Sequence, residues 1–375
     1  MPVSISGTSG ITFPDGSLQT AAASPLVLRN RIINGDMRID QRNAGASVTP
    51  TSDDTYTVDR WQCGLSQSSK YSVQQQTSVV PTGYTYATKI TSLSSYSLGA
   101  SDYFTYSQKI EGFNIADFAW GTANAKTITL SFQVYSSLTG TFGGAIHNSA
   151  SNRSYPFIYT ISSANTWTTI SITIAGDTSG TWLANNGVGM WVRFGLGVGS
   201  TYSGTSGSWS SNLYASATGA TSVVGTNGAT FYITGVQLEV GTSATPFERR
   251  LYNQELANCQ RYYQRFNATN ENGNYSLFGW GHAYGTGVLN IGVQLFVPMR
   301  TYPSTLDTSA MGTFQYETGT SAGNTPTSIA INANTNTNWM AQLDVNKSAS
   351  FTNAASYKLQ AYNTKTTYLG FGAEL

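Results

Sequence analysis

The sequence is poor in charge: 10% of its 375 residues are Asp, Glu, Lys or Arg, against roughly 25% in an ordinary soluble domain. The net charge is +1, so we expect no basic stripe for nucleic acid and no acidic tail. No run of residues reaches the roughly 18 apolar residues of a membrane span, and no membrane insertion is expected. The first ten residues lack a basic n-region and an apolar h-region, so no secretory signal is expected.

Cysteine and histidine are also scarce. The two cysteines, Cys63 and Cys259, cannot build a disulfide framework, and only His147 and His282 could serve a histidine-based site. The acidic residues fall mainly in turns and caps instead of forming the carboxylate pair that glycoside cleavage needs. We therefore expect no enzymatic activity, no cofactor and no metal. A calcium ion held by Asp53 and Asp54 is the alternative that stays open.

Aromatic and small polar residues are abundant where charged residues are few. The chain has 23 Tyr, 16 Phe and 8 Trp, and 40% of its residues are hydrophobic, enough to build packed cores. Hydroxyls and amides, with few charges, keep such a chain in solution. This composition is typical of a protein that is assembled inside a cell and then exposed outside it as part of a particle.

Residues 1–26 form a separate segment, because glycine and proline interrupt it too often for a core. A short apolar strand around Ile11 precedes a turn at Pro14, Asp15 and Gly16, and residues 19–23 could form a short helix. The segment is either a frayed terminus, or a docking peptide or intertwined trimer stem.

In residues 27–248 several stretches alternate between apolar and polar residues, and this period of two predicts half-buried antiparallel strands. In 188–198 the even-numbered residues are apolar, and in 231–240 the phase changes at Gly235, which predicts a β-bulge. About ten short strands with almost no helix favour a jelly-roll β-sandwich. Strands are expected near residues 29–35, 58–64, 69–77, 86–93, 103–110, 126–137, 139–146, 153–161, 166–175, 188–198 and 231–240.

An apolar stripe predicts a linking helix over 249–266, with Asn253 as its cap. The stripe comprises Tyr252, Leu256, Cys259, Tyr263 and Phe266. Residues 267–375 return to alternation and predict a second, smaller β domain. The fold class is thus all-β: an extended N-terminal anchor, a jelly roll, one short helix and a C-terminal β domain. Strands of this last domain are expected near residues 289–297, 312–317, 327–332, 338–345, 357–362 and 366–375.

Several stretches resemble phage and prophage tail-fibre proteins. The N-terminal run around Ile11 is similar to the leader of many phage structural proteins. The resemblance extends over residues 10–300 and is carried by residues 10–16, 30–37, 40–45, 59–61, 137–142, 235–241, 244–250 and 259–263, with a similar ending at 372–375.

The resemblance implies a virion tail fibre or spike subunit with a carbohydrate-binding-module-like jelly roll. Such a subunit is a homotrimer, is synthesised in the host bacterial cytoplasm and becomes part of the virion. Residues 1–26 would dock on another virion protein, with Ile11, Phe13, Pro14 and Asp15 as the docking residues. The outer partner would be a host cell-surface glycan. A head fibre or capsid decoration protein of the same fold and a capsular polysaccharide depolymerase are the alternatives.

Candidate glycan-binding residues follow from the strand pattern. On strand 188–198 the even residues face the core, so Trp191 and Arg193 point to the other face, where an indole suits a pyranose and a guanidinium suits hydroxyls or an acidic group. The alternative is that a loop or a second subunit covers Trp191. Nearby loops add Trp182, Tyr202 and Trp209, and the C-terminal domain offers a similar set in Trp280, His282, Tyr284 and Trp339.

Charge concentrates in two segments, 29–60 and 248–265. In a chain with so few charges, the cluster at 29–60 predicts a buried or interfacial ion-pair network.

Overall fold

The computed structural model describes residues 4–6, 10–12, 18–19, 28–269, 275–318, 323–347 and 350–375. Within these residues the chain is nearly all β, with one α-helix, so the predicted all-β class is confirmed. Among them, no helix has the length and apolarity needed to cross a membrane. The described part of the first 26 residues contains three short antiparallel strands: β1 (Ser4–Ser6), β2 (Gly10–Thr12) and β3 (Leu18–Gln19).

Two of the expectations for that first segment can be compared with the structure. Ile11 lies in strand β2, as predicted, whereas Gln19 lies in strand β3 and not at the start of a helix. The docking residues Phe13, Pro14 and Asp15 lie outside the described residues, as do residues 20–23.

Residues 55–240 form a jelly-roll β-sandwich of two antiparallel sheets. The six-stranded sheet has the order β11-β10-β13-β8-β5-β4, and the five-stranded sheet has the order β12-β9-β16-β7-β6. Its strands are β4 (Thr55–Tyr56), β5 (Gln62–Leu65), β6 (Tyr71–Gln76), β7 (Ala87–Ser92), β8 (Tyr103–Glu111), β9 (Ile128–Ser136), β10 (Gly140–His147), β11 (Ser154–Ile161), β12 (Thr168–Ile174), β13 (Val188–Val198) and β16 (Thr230–Val240). A small parallel pair, β14 (Ser203–Gly204) and β15 (Ser216–Ala217), lies in the loop after β13.

The apolar half of each alternating strand faces the other sheet. Phe132 of the five-stranded sheet meets Phe194 of the six-stranded sheet edge-on at 5.0 Å, and Trp61 stacks on Tyr106 at 5.2 Å. The predicted bulge is confirmed, because the register of β16 shifts between Thr234 and Gln237, around Gly235 with φ of 62°.

The prediction of a strand at 29–35 is wrong. This segment has no strand and follows an irregular path past strand β16, where Asn30 bonds the main chain of Val236 and Leu238. Asn34 has a φ of 56°, which lies outside the β region that a regular strand requires.

The linking helix is shorter than predicted. Helix α1 (Tyr252–Gln260) starts after Leu251 without a side-chain cap, so Asn253 is its second residue and not its cap. Tyr263 and Phe266 lie instead in strand β17 (Tyr263–Asn267). A spacing of three or four residues fits a helix, but pairing with the strand Tyr368–Gly372 decides the local structure. Cys259 is fully buried, as expected.

The C-terminal residues form a second, smaller β-sandwich. A six-stranded sheet of order β21-β24-β18-β19-β23-β22 packs on a three-stranded sheet of order β17-β25-β20. Leu289 and Ile291 from the larger sheet share a buried core with Leu369 and Phe371 from the smaller one. The strands are β18 (Leu277–Tyr284), β19 (Val288–Gln294), β20 (Thr305–Thr308), β21 (Phe314–Glu317), β22 (Ser328–Ile331), β23 (Met340–Asn346), β24 (Ser356–Ala361) and β25 (Tyr368–Gly372).

Ion pairs join the two sandwiches. Glu374 accepts from Arg42 at 3.0 Å and from the buried Arg60, and Glu111 accepts from both Arg261 and Tyr262 at 2.6 Å. The predicted buried or interfacial ion-pair network is confirmed for Arg42 and Arg60, but the carboxylate they share, Glu374, lies outside the 29–60 cluster.

Candidate functional site

The candidate site lies on the outer face of the six-stranded sheet of the first sandwich. Register places Trp191 opposite Lys109 on strand β8 and opposite His147 on strand β10. Arg193 follows two residues later and therefore shares this face. Trp191 and Arg193 are half-buried, so the two predicted site residues lie together on the outward face, as their alternation indicated.

Cations surround the indole of Trp191. The Arg193 guanidinium lies 4.2 Å and the Lys109 ammonium 4.3 Å from the ring centroid, which are favourable cation–π distances. The imidazole of His147 lies 5.0 Å away, tilted by 30°. The ring is thus held in place by its own chain, and a ligand that reaches it also meets two positive charges.

Two acidic residues balance these cations. Burial lowers the pKa of Arg193 to about 10, while Asp53 and Asp54 oppose the shift. Burial also lowers the pKa of Lys109, against the effect of Asp54, which lies 3.4 Å from its ammonium group. With a pKa of about 10, Arg193 stays charged at neutral pH, so the site places a cation near acidic side chains.

Beneath these charges lies a layer of polar groups that sequence reasoning missed. Register aligns Gln62, Ser107 and Arg193 across three neighbouring strands. Buried polar atoms are almost always hydrogen-bonded, yet several here have no partner within the described part of the chain. The layer can therefore hold buried water. The unpartnered atoms are Gln62 Nε2 and Oε1, Thr105 Oγ1, Ser107 Oγ, His147 Nε2 and Arg193 Nε.

Tyr202 joins the site at its edge. Its ring meets that of Tyr103 edge-on at 5.6 Å, and the Tyr103 hydroxyl donates to Asp53 at 2.9 Å. Asp53 also accepts from the main-chain amide of Leu65. No group of three His, Cys, Asp or Glu is arranged to hold a metal ion within the residues that the structure describes.

Trp182 and Trp209 belong to a different cluster. Both rings meet the buried Trp120 edge-on, at 4.7 and 5.2 Å, and lie 5.6 Å from each other. The Trp209 indole N–H donates to the carbonyl of Ala175 at 2.9 Å, and that of Trp182 donates to Asp177 at 3.2 Å. Both indole N–H groups therefore already donate to the protein itself. Trp182 and Trp209 pack loops together and do not share a cluster with Trp191.

His147 gives the site a pH dependence in stability. Burial, assisted by Arg193, lowers its pKa from 6.5 to about 3. Below pH 6.5 the unfolded chain binds a proton that the folded chain does not. The free energy of unfolding should therefore decrease as the pH is lowered from 6.5, by up to about 1.4 kcal/mol per pH unit. Urea unfolding at pH 6.5 and 4.5 should show a smaller fall for His147→Gln. Equal falls would contradict this account.

No family model matches the chain, and no curated protein matches it. Solved structures show remote likenesses. The enzymatically active domain of tailspike protein 4 from bacteriophage CBA120 is 10% identical, with a TM-score of 0.30, over 55% of this chain and 22% of that one. A family 11 carbohydrate-binding module of a Clostridium thermocellum cellulosomal cellulase is 14% identical, with a TM-score of 0.25, over 53% and 98%. TmCBM61 in complex with beta-1,4-galactotriose is 11% identical, with a TM-score of 0.28, over 57% and 99%.

Proposed function

We propose that the protein is a structural component of a phage virion, a tail-fibre or spike subunit that recognises a glycan on the host surface. One observation carries the recognition step: Trp191 and Arg193, both half-buried, lie side by side on the outward face of the sheet. An aromatic face takes the apolar side of a pyranose, and the guanidinium takes its hydroxyls or an acidic group.

The charges at this site define the kind of glycan. Arg193 and Lys109 both flank the indole, and a guanidinium forms strong hydrogen bonds to carboxylates and phosphates. We therefore expect a polysaccharide with acidic groups to bind better than a neutral one. Asp53 and Asp54 can accept hydroxyl donors from the same ligand.

The resemblance to phage fibres supports a homotrimer, in which three weak sites act together and raise the overall affinity. The protein is proposed to be non-enzymatic. Asp59, whose pKa burial raises to about 7, is the carboxyl group most like a general acid. It is almost fully buried and accepts from the main-chain amide of Gln41, so a sugar does not reach it.

Trp191→Ala tests the recognition site. Binding to host cells or to their purified surface polysaccharide should weaken by about tenfold or more, which corresponds to about 1.4 kcal/mol, with unchanged thermal unfolding. Trp167→Ala is the matched control, because Trp167 is half-buried beside Tyr135 and lies just before strand β12 of the other sheet. Equal binding by both variants would remove Trp191 from the site. Release of reducing ends in the same assay would contradict the non-enzymatic role.

Deletion of residues 1–26 tests the docking role. The truncated chain should form the same folded trimer in sedimentation analysis, because the described contacts of both sandwiches lie beyond residue 27. It should no longer be incorporated into virions when it replaces the full chain during infection. Unchanged incorporation would show that another part of the protein docks.

A further inference from the structure

The outer face of the larger C-terminal sheet carries a row of aromatic side chains. Trp280, His282 and Tyr284 alternate along strand β18 with the buried Ala283 and with Gly281. Trp280 is 60% exposed and Tyr284 is 76% exposed. Residues two apart on a strand lie about 7 Å from each other on the same face, so the row is an extended platform. We call it the β18 platform.

Polar side chains flank the β18 platform on both neighbouring strands. Register sets Lys358 beside Trp280, and sets Ser356 and Asn290 on either side of His282. On the next strand Asp344 lies opposite Asn290 and accepts from its amide at 2.7 Å. Hydrogen-bonding groups therefore lie beside Trp280 and His282, whereas Val288 lies opposite Tyr284.

Glycine keeps the platform open beside its largest ring. Trp280 lies directly opposite Gly292 on strand β19, which has no side chain of its own; the sulfur of Met340 lies 3.7 Å from where a Cβ of Gly292 would be. Lys358 on the other side is paired with Glu317 at 2.5 Å. The surface next to the indole therefore has little net charge and an accessible ring face.

We propose that the β18 platform is a second glycan-binding site, which takes a neutral stretch of a polysaccharide along strand β18. This inference depends on the proposed function, in that the protein must bind glycans at all. Exposed aromatic rings interleaved with Asn, Ser, Asp and Lys suit a sugar chain, whose rings stack and whose hydroxyls bond. The core of a protein interface, in contrast, is depleted in charged residues.

The position of the platform agrees with such a role. Contacts with the first sandwich are made by the smaller C-terminal sheet and its flanks, through Tyr263, Arg265 and Glu374. The β18 platform lies on the opposite side of its sandwich from those contacts. A polysaccharide could thus occupy it together with the site at Trp191, and two linked sites raise overall affinity without new contacts at either.

Trp280→Ala and Tyr284→Ala test the proposal on the full chain. The probe is a microarray of bacterial surface polysaccharides, both neutral and acidic, followed by titration of the bound species. Each variant should weaken binding to a neutral species by about tenfold or more, and Trp191→Ala should weaken it less. Tyr302→Ala is the control, since Tyr302 is 55% exposed and lies in a loop outside the platform.

The outcomes separate this proposal from the proposed function. Binding that Trp191→Ala abolishes and that Trp280→Ala and Tyr284→Ala leave unchanged would overturn the second site and keep the first. No binding to any polysaccharide would overturn both. If Trp280→Ala dissociates the oligomer in sedimentation analysis while glycan binding per chain persists, the platform is a subunit interface and the proposal is wrong.

Discussion

Replacing Arg60 by Met should lower the free energy of unfolding by about 3–5 kcal/mol, the range found when one partner of a buried ion pair is removed. Arg60 is 1% exposed. Its guanidinium pairs with Glu374, donates to the carbonyl of Lys109 at 2.7 Å and lies 3.6 Å from the ring centroid of Tyr262. Methionine keeps the aliphatic stem but leaves these groups without their cation.

The loss should weaken the contact between the two sandwiches first, because both Glu374 and Tyr262 belong to the second one. Urea unfolding followed by intrinsic fluorescence should show an earlier midpoint, and limited proteolysis should cut between residues 249 and 267. Arg31→Met is the control: Arg31 pairs with Asp117, which is 47% exposed, and such pairs contribute about 1 kcal/mol or less. Similar losses for the two variants would contradict the assigned role of Arg60.

The strands were largely predictable because their signal is local. Alternation over 188–198 depends only on which side chains face the core, and strand β13 (Val188–Val198) matches it to the residue. The end of helix α1 was not predictable in this way. Tyr263 satisfies both a helical stripe and a strand, and its partner, Gly372, lies more than a hundred residues away.

In the candidate site too, some features follow from local sequence and others depend on distant strands. Trp191 and Arg193 lie on one strand, so their shared face followed from the sequence. Lys109, His147 and Gln62 reach them only through the order and register of other strands, which no local pattern records. The outward positions of strand β8, with Thr105, Ser107 and Lys109 at every second residue, were the available signal for the polar layer.

The segment around Asn34 explains why 29–35 has an apolar pattern without a strand. Asn34 is fully buried, and its side-chain amide donates to the carbonyls of Ile39 and Asp59, at 2.8 and 3.0 Å, and accepts from the amide of Ile39 at 3.0 Å. Its own carbonyl accepts from the Trp61 indole at 3.0 Å. One side chain therefore makes three hydrogen bonds to the main chain of Ile39 and Asp59, and it holds the segment against them without strand pairing.

Asn34→Ala should therefore be among the most destabilising single substitutions in the first sandwich. It removes three buried hydrogen bonds and leaves two main-chain groups unpaired, the Ile39 amide and the Asp59 carbonyl, at about 1–3 kcal/mol each; the Ile39 carbonyl still accepts from the Asp59 amide at 3.1 Å. It also places alanine at a φ of 56°, which costs about 1–2 kcal/mol more. A combined loss of about 3 kcal/mol or more is expected. Asn34→Gly removes the same hydrogen bonds without the backbone penalty and should be the milder of the two.

Urea unfolding of the purified variants measures both effects, and soluble yield reports on a variant too unstable to purify. Asn43→Ala is the matched control, because Asn43 lies in the same region and donates its side-chain amide to the carbonyl of Thr57 at 3.0 Å. That single bond should cost about 1 kcal/mol. If Asn34→Ala and Asn43→Ala unfold at the same urea concentration, Asn34 does not hold this segment. We expect the urea midpoint to be lowest for Asn34→Ala, higher for Asn34→Gly and highest for Asn43→Ala. This order follows from the number of unpaired groups and from the left-handed φ angle at residue 34.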